Sequence, residues 1–202
     1  MTSTKDNAAC GPQTDRRERS LPAEAGLWLF IFGDLVVFTL LFLVYLAYRT
    51  DEPELFASSQ QTLSINVGAV NTLVLLCSSL FVVGAVRATR AGNRQLAPCL
   101  VLAAMACGFV FVSVKVFEYH DKLETDHTPA SNYFYFFYFF MTGLHLVHVV
   151  IGLGVLTFLW RLTRRADELT SLGMSSVEGS ASFWHLVDLL WIVIFPLLYL
   201  VQ

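Results

Sequence analysis

Five apolar stretches, each about as long as a lipid bilayer is thick, constrain this chain more than any other feature. They run roughly from Gly26 to Tyr48, Asn66 to Val86, Leu96 to Phe117, Tyr133 to Trp160 and Ser182 to Val201. About 20 mostly apolar residues carry an α-helix across the hydrocarbon. Lipid offers no partner to an open strand edge, so the backbone must close its hydrogen bonds within each segment. The expected fold class is an all-α membrane protein, a five-transmembrane-helix bundle. Composition agrees, with 14% charged residues against about 25% in an ordinary soluble domain. The fourth stretch exceeds a minimal span, which predicts tilt or a helical end beyond the bilayer. Pro98, near the start of the third, suits a first helical turn.

Charge gives the expected orientation. Of the 13 Lys and Arg, ten lie in three places on one side of a five-span chain. These are the tail (Lys5, Arg16, Arg17, Arg19), the second connection (Arg87, Arg90, Arg94) and the fourth (Arg161, Arg164, Arg165). The other side has Arg49 and Lys122, with Lys115 near the end of span three, and holds Asp51, Glu52, Glu54, Asp121, Glu124 and Asp126. The bias predicts a cytoplasmic N-terminus and a periplasmic C-terminus. Residues 1–24 are polar and read as a flexible cytoplasmic tail, and residues 25–202 as the membrane domain. The tail has no apolar core of a secretory signal, so the first span is expected to be retained. Cys77, Cys99 and Cys107 show no ligand-like spacing and read as small packing residues.

Polar groups inside these spans are costly and mark faces turned toward protein, water or headgroups. Two clusters stand out: Thr142-Gly143-Leu144-His145-Leu146-Val147-His148, and Trp184-His185-Leu186-Val187-Asp188-Leu189-Leu190-Trp191. His145 and His148 share a helix face by their spacing. With span five starting near Ser182, His185 falls in its first turn and roughly 12 Å from the level of His148, too far for one haem to bridge. His120 and His127 read as loop residues. Hydrogen bonding to neighbouring helices is the plainer role for the three intramembrane histidines. Asp34, Glu178, His185 and Asp188 all fall in the N-terminal side's half of the membrane and form a candidate entry path for protons or water. The other half offers mainly Glu118, with Lys115 three residues earlier as its expected partner. A structural or lipid-facing role is the plainer reading of these groups as well. Ser175 and Ser176 lack the glycine-flanked setting of a catalytic nucleophile. Ala104, Gly108, Gly152 and Gly154 suggest close helix packing. The aromatic run Tyr133 to Phe140 begins at the interface, where such rings anchor a helix, and is rich enough to meet lipid or another protein as well.

Taken in order, the motifs resemble subunit III of the haem-copper oxidase superfamily along nearly the whole membrane part. They are Trp28-Leu29-Phe30-Ile31-Phe32-Gly33-Asp34, Asn71-Thr72 with Leu75 to Ser79, Lys115-Val116-Phe117-Glu118-Tyr119, Thr142 to His145 with His148, and Trp184-His185 with Asp188 and Trp191. Asp34 stands where mitochondrial-type members carry glutamate. Trp184 to Leu200 and Pro53-Glu54-Leu55-Phe56-Ala57 make the chain most similar to the NorE type found with nitric oxide reductase. The resemblance implies an accessory, non-catalytic subunit of the bacterial inner membrane without haem or metal of its own. It implies bound phospholipid and a haem-containing catalytic membrane subunit as partner, with no nucleic acid. Asp34, Glu118, His145, His148, Glu178, His185 and Asp188 are then expected to serve assembly or lipid contact. Subunit III of a bacterial cytochrome c or quinol oxidase is one alternative. An independent small transporter or haem carrier is another.

Overall fold

The computed structural model describes residues 21–93, 95–125, 128–164 and 171–201. Among these residues the chain forms α1 (Leu21–Asp51), α2 (Pro53–Gln60), α3 (Ile65–Arg90), α4 (Leu96–Glu124), α5 (Tyr133–Arg164) and α6 (Ser171–Tyr199). Five of these, all but α2, are long and apolar enough to cross a membrane. The sixth helix, α2, fills the acidic first connection, with Pro53 opening it; proline's fixed φ and missing N–H suit that position. Most of the expected tail lies outside the described residues, and residues 21–24 belong to α1.

Helices α3 to α6 close into a ring in which α3 meets α4, α4 meets α5, α5 meets α6 and α6 returns to α3. α1 rests on α6 and α5 from outside. Its buried apolar line is thin, Ile31, Phe38 and Tyr45 at seven-residue intervals, whereas α6 is the most buried span. Most of α1 therefore faces lipid or another protein.

The turn between α3 and α4 shows how sequence sets one junction. Gly92 takes φ of 70°, a left-handed conformation that favours glycine. The Gly92 N–H donates to Thr89 O and the Asn93 N–H to Ala88 O, which satisfies the last carbonyls of α3. Asn93 Oδ1 then accepts from the Leu96 N–H at 3.1 Å and caps α4. Pro98 sits in the first turn of α4 as the sequence suggests.

Two of the small residues singled out for packing meet the same ring. A Cβ at Gly152 would stand 2.8 Å from Trp184 ring carbons, and one at Gly108 would stand 3.0 Å from that indole. Their missing side chains let Trp184 lie almost completely buried between α4 and α5. Gly154 has open space beside it and takes no part. The aromatic run of α5 divides by face: Phe134, Tyr135, Phe137 and Tyr138 are buried, while Tyr133, Phe136 and Phe140 are exposed.

Candidate functional site

The polar side chains of the spans fall into separate groups, each joining particular helices. The densest lies in the half of the bundle that carries α2, around Lys115 and Glu118 of α4. Lys115 is 1% exposed, so its ammonium needs a full set of partners. It donates to Glu118 Oε2 at 2.8 Å and to the Tyr199 hydroxyl at 2.8 Å. Tyr199 in turn donates to Glu118 Oε1 at 2.5 Å, and Tyr138 donates to the same oxygen at 3.0 Å. The Lys115 Nζ also stands 4.7 Å from the centre of the Trp191 ring, an arrangement in which the π face attracts the cation. One carboxylate thus gathers groups from α4, α5 and α6. Trp191 extends the network by donating to the Thr72 hydroxyl of α3 at 2.9 Å. Tyr119 and Thr142 meet at 2.6 Å and tie α4 to α5 on the flank.

The second group fastens α1. His148 Nε2 lies 3.0 Å from Asp34 Oδ1, with both side chains 9% exposed. His148 Nδ1 faces the Leu144 carbonyl at 2.8 Å, and a carbonyl only accepts, so Nδ1 carries hydrogen. Nε2 and the carboxyl then share one proton between them. Imidazolium with carboxylate and imidazole with carboxylic acid are both neutral overall, which suits a site at membrane depth. His145, one turn away, is completely buried, packed edge-on against Phe111 and tilted against Trp191. Neither of its ring nitrogens has a hydrogen-bond partner.

The third group lies between α3 and α6. His185 Nδ1 meets the Ser79 hydroxyl at 2.6 Å. Asp188, three residues further along α6, is 5% exposed, and its Oδ1 is buried without a hydrogen-bond partner. The partner of His185 is thus Ser79 of α3, across the helix interface. Glu178 is separate again: exposed, it pairs with Arg90 at 2.7 Å, a surface contact of little energetic weight.

Several expectations need correcting. Span five begins near Gly173 rather than Ser182, so His185 stands twelve residues into it instead of in its first turn. Because Trp184 packs on Gly152, and His148 stands four residues before Gly152 on α5, His185 lies only about 6 Å or less from the level of His148. Depth does not separate the histidines; direction does, since His148 turns to α1 and His185 to α3. Asp34 pairs with His148 between α1 and α5, whereas Glu178 and His185 of α6 pair with Arg90 and Ser79 of α3. The four groups expected on one entry path, Asp188 among them, therefore do not share one set of partners. His120 belongs to α4, with Nδ1 3.5 Å from Glu124, and not to a loop; His127 lies outside the described residues. Among the described residues no three His, Cys, Asp or Glu side chains come together as a metal site.

The Lys115–Glu118 pair is found as the sequence spacing predicts. No short-range signal points to Tyr138 and Tyr199, which complete it. Tyr138 is hidden in an aromatic run, and only the packing of α5 and α6 against α4 brings both phenols to the carboxylate. Ser79 and Thr72 stand out in the sequence only as parts of a motif, and their partners lie 106 and 119 residues away. The arrangement ties α4 to α5 and α6, α1 to α5 and α3 to α6, and its evident chemistry is to hold buried charge by hydrogen bonding.

Comparison with known proteins places these groups in a family. The sequence profile described as cytochrome c oxidase subunit III matches residues 10–202. Cytochrome c oxidase subunit 3 of Synechocystis is 32% identical over 177 residues, 87% of this chain and 74% of the relative. Cytochrome bo(3) ubiquinol oxidase subunit 3 of Buchnera aphidicola is 27% identical over 176 residues, 87% of this chain and 84% of the relative. Haem-copper oxidase subunit I+III of Aeropyrum pernix is 24% identical over 182 residues, 88% of this chain and 22% of that longer protein. These relatives carry oxidase names, so the finer likeness to the NorE type gives way to the broader one. With nearly its whole length matched, the chain belongs to the cytochrome c oxidase subunit III family.

Proposed function

We propose that this chain is an accessory subunit of a bacterial haem-copper oxidase, packed in the inner membrane beside a catalytic subunit that carries the haem. The observation that carries this reading is the subunit III match over residues 10–202. The Aeropyrum relative supports the choice of partner, because its name joins subunits I and III in one protein. The names of the relatives favour an oxygen-reducing complex over a nitric oxide reductase. The internal ties of the bundle are consistent with a rigid flank that stabilises its neighbour, with phospholipid filling the remaining surface. On this reading α1, held by a thin line of contacts, presents most of its apolar surface to that neighbour or to lipid.

Removal of the chain from the complex tests the proposal. The partner's haem absorbance per polypeptide should be unchanged, while yield and active lifetime during turnover fall. Loss of haem from an otherwise folded partner would mean that this chain donates a ligand, and the accessory role would be abandoned. Isolation of the chain with no haem-bearing companion would favour the transporter alternative.

The proposed orientation places the basic end in the cytoplasm. In a background without other cysteines, Ser58→Cys should react with a membrane-impermeant thiol reagent in cells whose inner membrane is intact, and Gln95→Cys should not. Both positions are exposed, so reversed labelling would invert the topology.

A further inference from the structure

A cavity of about 570 Å³ opens at the end of the bundle that carries α2, between the end of α1, the start of α2 and the start of α5. Aromatic rings of Tyr48, Tyr133, Phe136 and Phe137 form much of its wall, and Glu52 is its charged group among the described residues. The rings make one continuous surface: Tyr48 lies 5.1 Å from Tyr133 and 5.3 Å from Phe137 between centroids. Tyr48 and Tyr133 are 40% and 52% exposed, so their faces are open to an occupant. Asn132 also borders the cavity, but its amide is committed. It donates to Ser59 Oγ at 3.0 Å and accepts from the Tyr135 N–H at 2.9 Å.

A carboxylate beside open π faces selects a cation, because both attract positive charge and a desolvated ammonium loses least where rings replace its water. The surroundings act in the same direction. Asp51, Glu54, Asp121 and Glu124 are exposed at this end, whereas Lys122 is buried and donates to the Thr62 carbonyl at 2.5 Å. Arg49, whose Nη1 is buried without a hydrogen-bond partner, is not part of the cavity wall. The depth of the cavity argues for an amphiphile rather than a free amine. Tyr133 is the first residue of its span, at the level where aromatic rings meet headgroups. Phe136 and Phe137 continue the wall about 5 Å further toward the acyl region. We propose that this cavity seats the ammonium headgroup of a zwitterionic phospholipid, with Glu52 as its counter-charge, the rings of Tyr48 and Tyr133 as its cradle, and its chains running down Phe136. The proposal rests on the reading of the chain as a membrane subunit and gives the phospholipid expected there a particular seat.

The test uses the full chain, stripped of co-purified lipid in detergent and offered equal amounts of phosphatidylethanolamine and phosphatidylglycerol with the same acyl chains. Retained lipid is counted by native mass spectrometry. Wild type should keep phosphatidylethanolamine in preference, and Glu52→Gln should reduce that preference roughly five- to tenfold, the equivalent of one desolvated cation contact. Tyr133→Ala should do the same, while Tyr133→Phe, which keeps the ring, and Glu54→Gln, which lies outside the cavity wall, should behave as wild type. Equal retention of the two lipids by wild type, or an unchanged preference in Glu52→Gln, overturns the ammonium site while leaving the accessory role standing. Displacement of the lipid by millimolar phosphoethanolamine would overturn the amphiphile and leave a soluble amine as the occupant. Loss of preference in Tyr133→Phe as well would overturn the ring cradle.

Discussion

Glu118→Leu is expected to destabilise the chain by about 3–5 kcal/mol, the usual effect of leaving one member of a buried ion pair without its partner. The change strips Lys115 of its counter-charge and frees the hydroxyls of Tyr138 and Tyr199 at once. Lys115→Met in the same chain should recover most of the loss, since an apolar pair of similar volume avoids desolvating either charge. Tyr199→Phe removes two hydrogen bonds to charged groups, one accepted from Lys115 and one donated to Glu118, and should weaken the bundle by at least roughly 1.5–3 kcal/mol. Equilibrium unfolding of the full chain in mixed micelles, read by helical signal, compares wild type, the three single variants Glu118→Leu, Lys115→Met and Tyr199→Phe, and the double variant. If the effects of Glu118→Leu and Lys115→Met simply add in the double variant, the two side chains are not coupled. The cluster would then be a set of independent contacts rather than the tie that joins α4, α5 and α6.

Replacing His148 by leucine should loosen α1 specifically. Asp34 would remain at membrane depth without the group that shares its proton, at a penalty of about 3–5 kcal/mol. The thin buried line of Ile31, Phe38 and Tyr45 is little defence against that loss. Asp34→Asn keeps a hydrogen-bonding group against His148 Nε2 and carries no charge to strand, so its effect should stay within about 1 kcal/mol. Docking of α1 is read from cross-linking of Phe30→Cys to Phe183→Cys by a short bifunctional thiol reagent, since the native rings lie 6.0 Å apart. Cross-linking should fall sharply with His148→Leu and persist with Asp34→Asn. Equal loss with both variants would show that the carboxylate itself, rather than its pairing, holds the helix. Undiminished cross-linking with His148→Leu would show that apolar contact suffices.

Much of the architecture was legible because the bilayer restricts the choices. A long apolar stretch at that thickness has to be a helix, so five spans could be read by counting residues. Pro98 at the start of α4 and the i, i+3 spacing of Lys115 and Glu118 were equally local, and the structure shows both. The start of α6 was misplaced because Ser171 to Ala181 contains too many small and polar residues to look like a span. Those residues are helical because α6 extends beyond its most apolar part, where Glu178 reaches Arg90. The longer α6 places His185 twelve residues into its span, near the level of His148.

The sequence by itself determined the number of spans, the local pairing of Lys115 with Glu118 and the segregation of basic residues toward one end. Each follows from a short-range rule: helix rise against membrane thickness, helical periodicity, and charge bias between successive connections. Only the tertiary structure decided that Asp34 belongs to His148, His185 to Ser79, and Tyr138 and Tyr199 to Glu118. It also decided that Glu52 joins the rings of α1 and α5 around one cavity. Those partners come from helices far apart in the chain, and each helix has several faces on which an isolated polar residue can lie. Which faces meet depends on packing, and here Gly108 and Gly152 leave room for Trp184 and so fix α6 against α4 and α5.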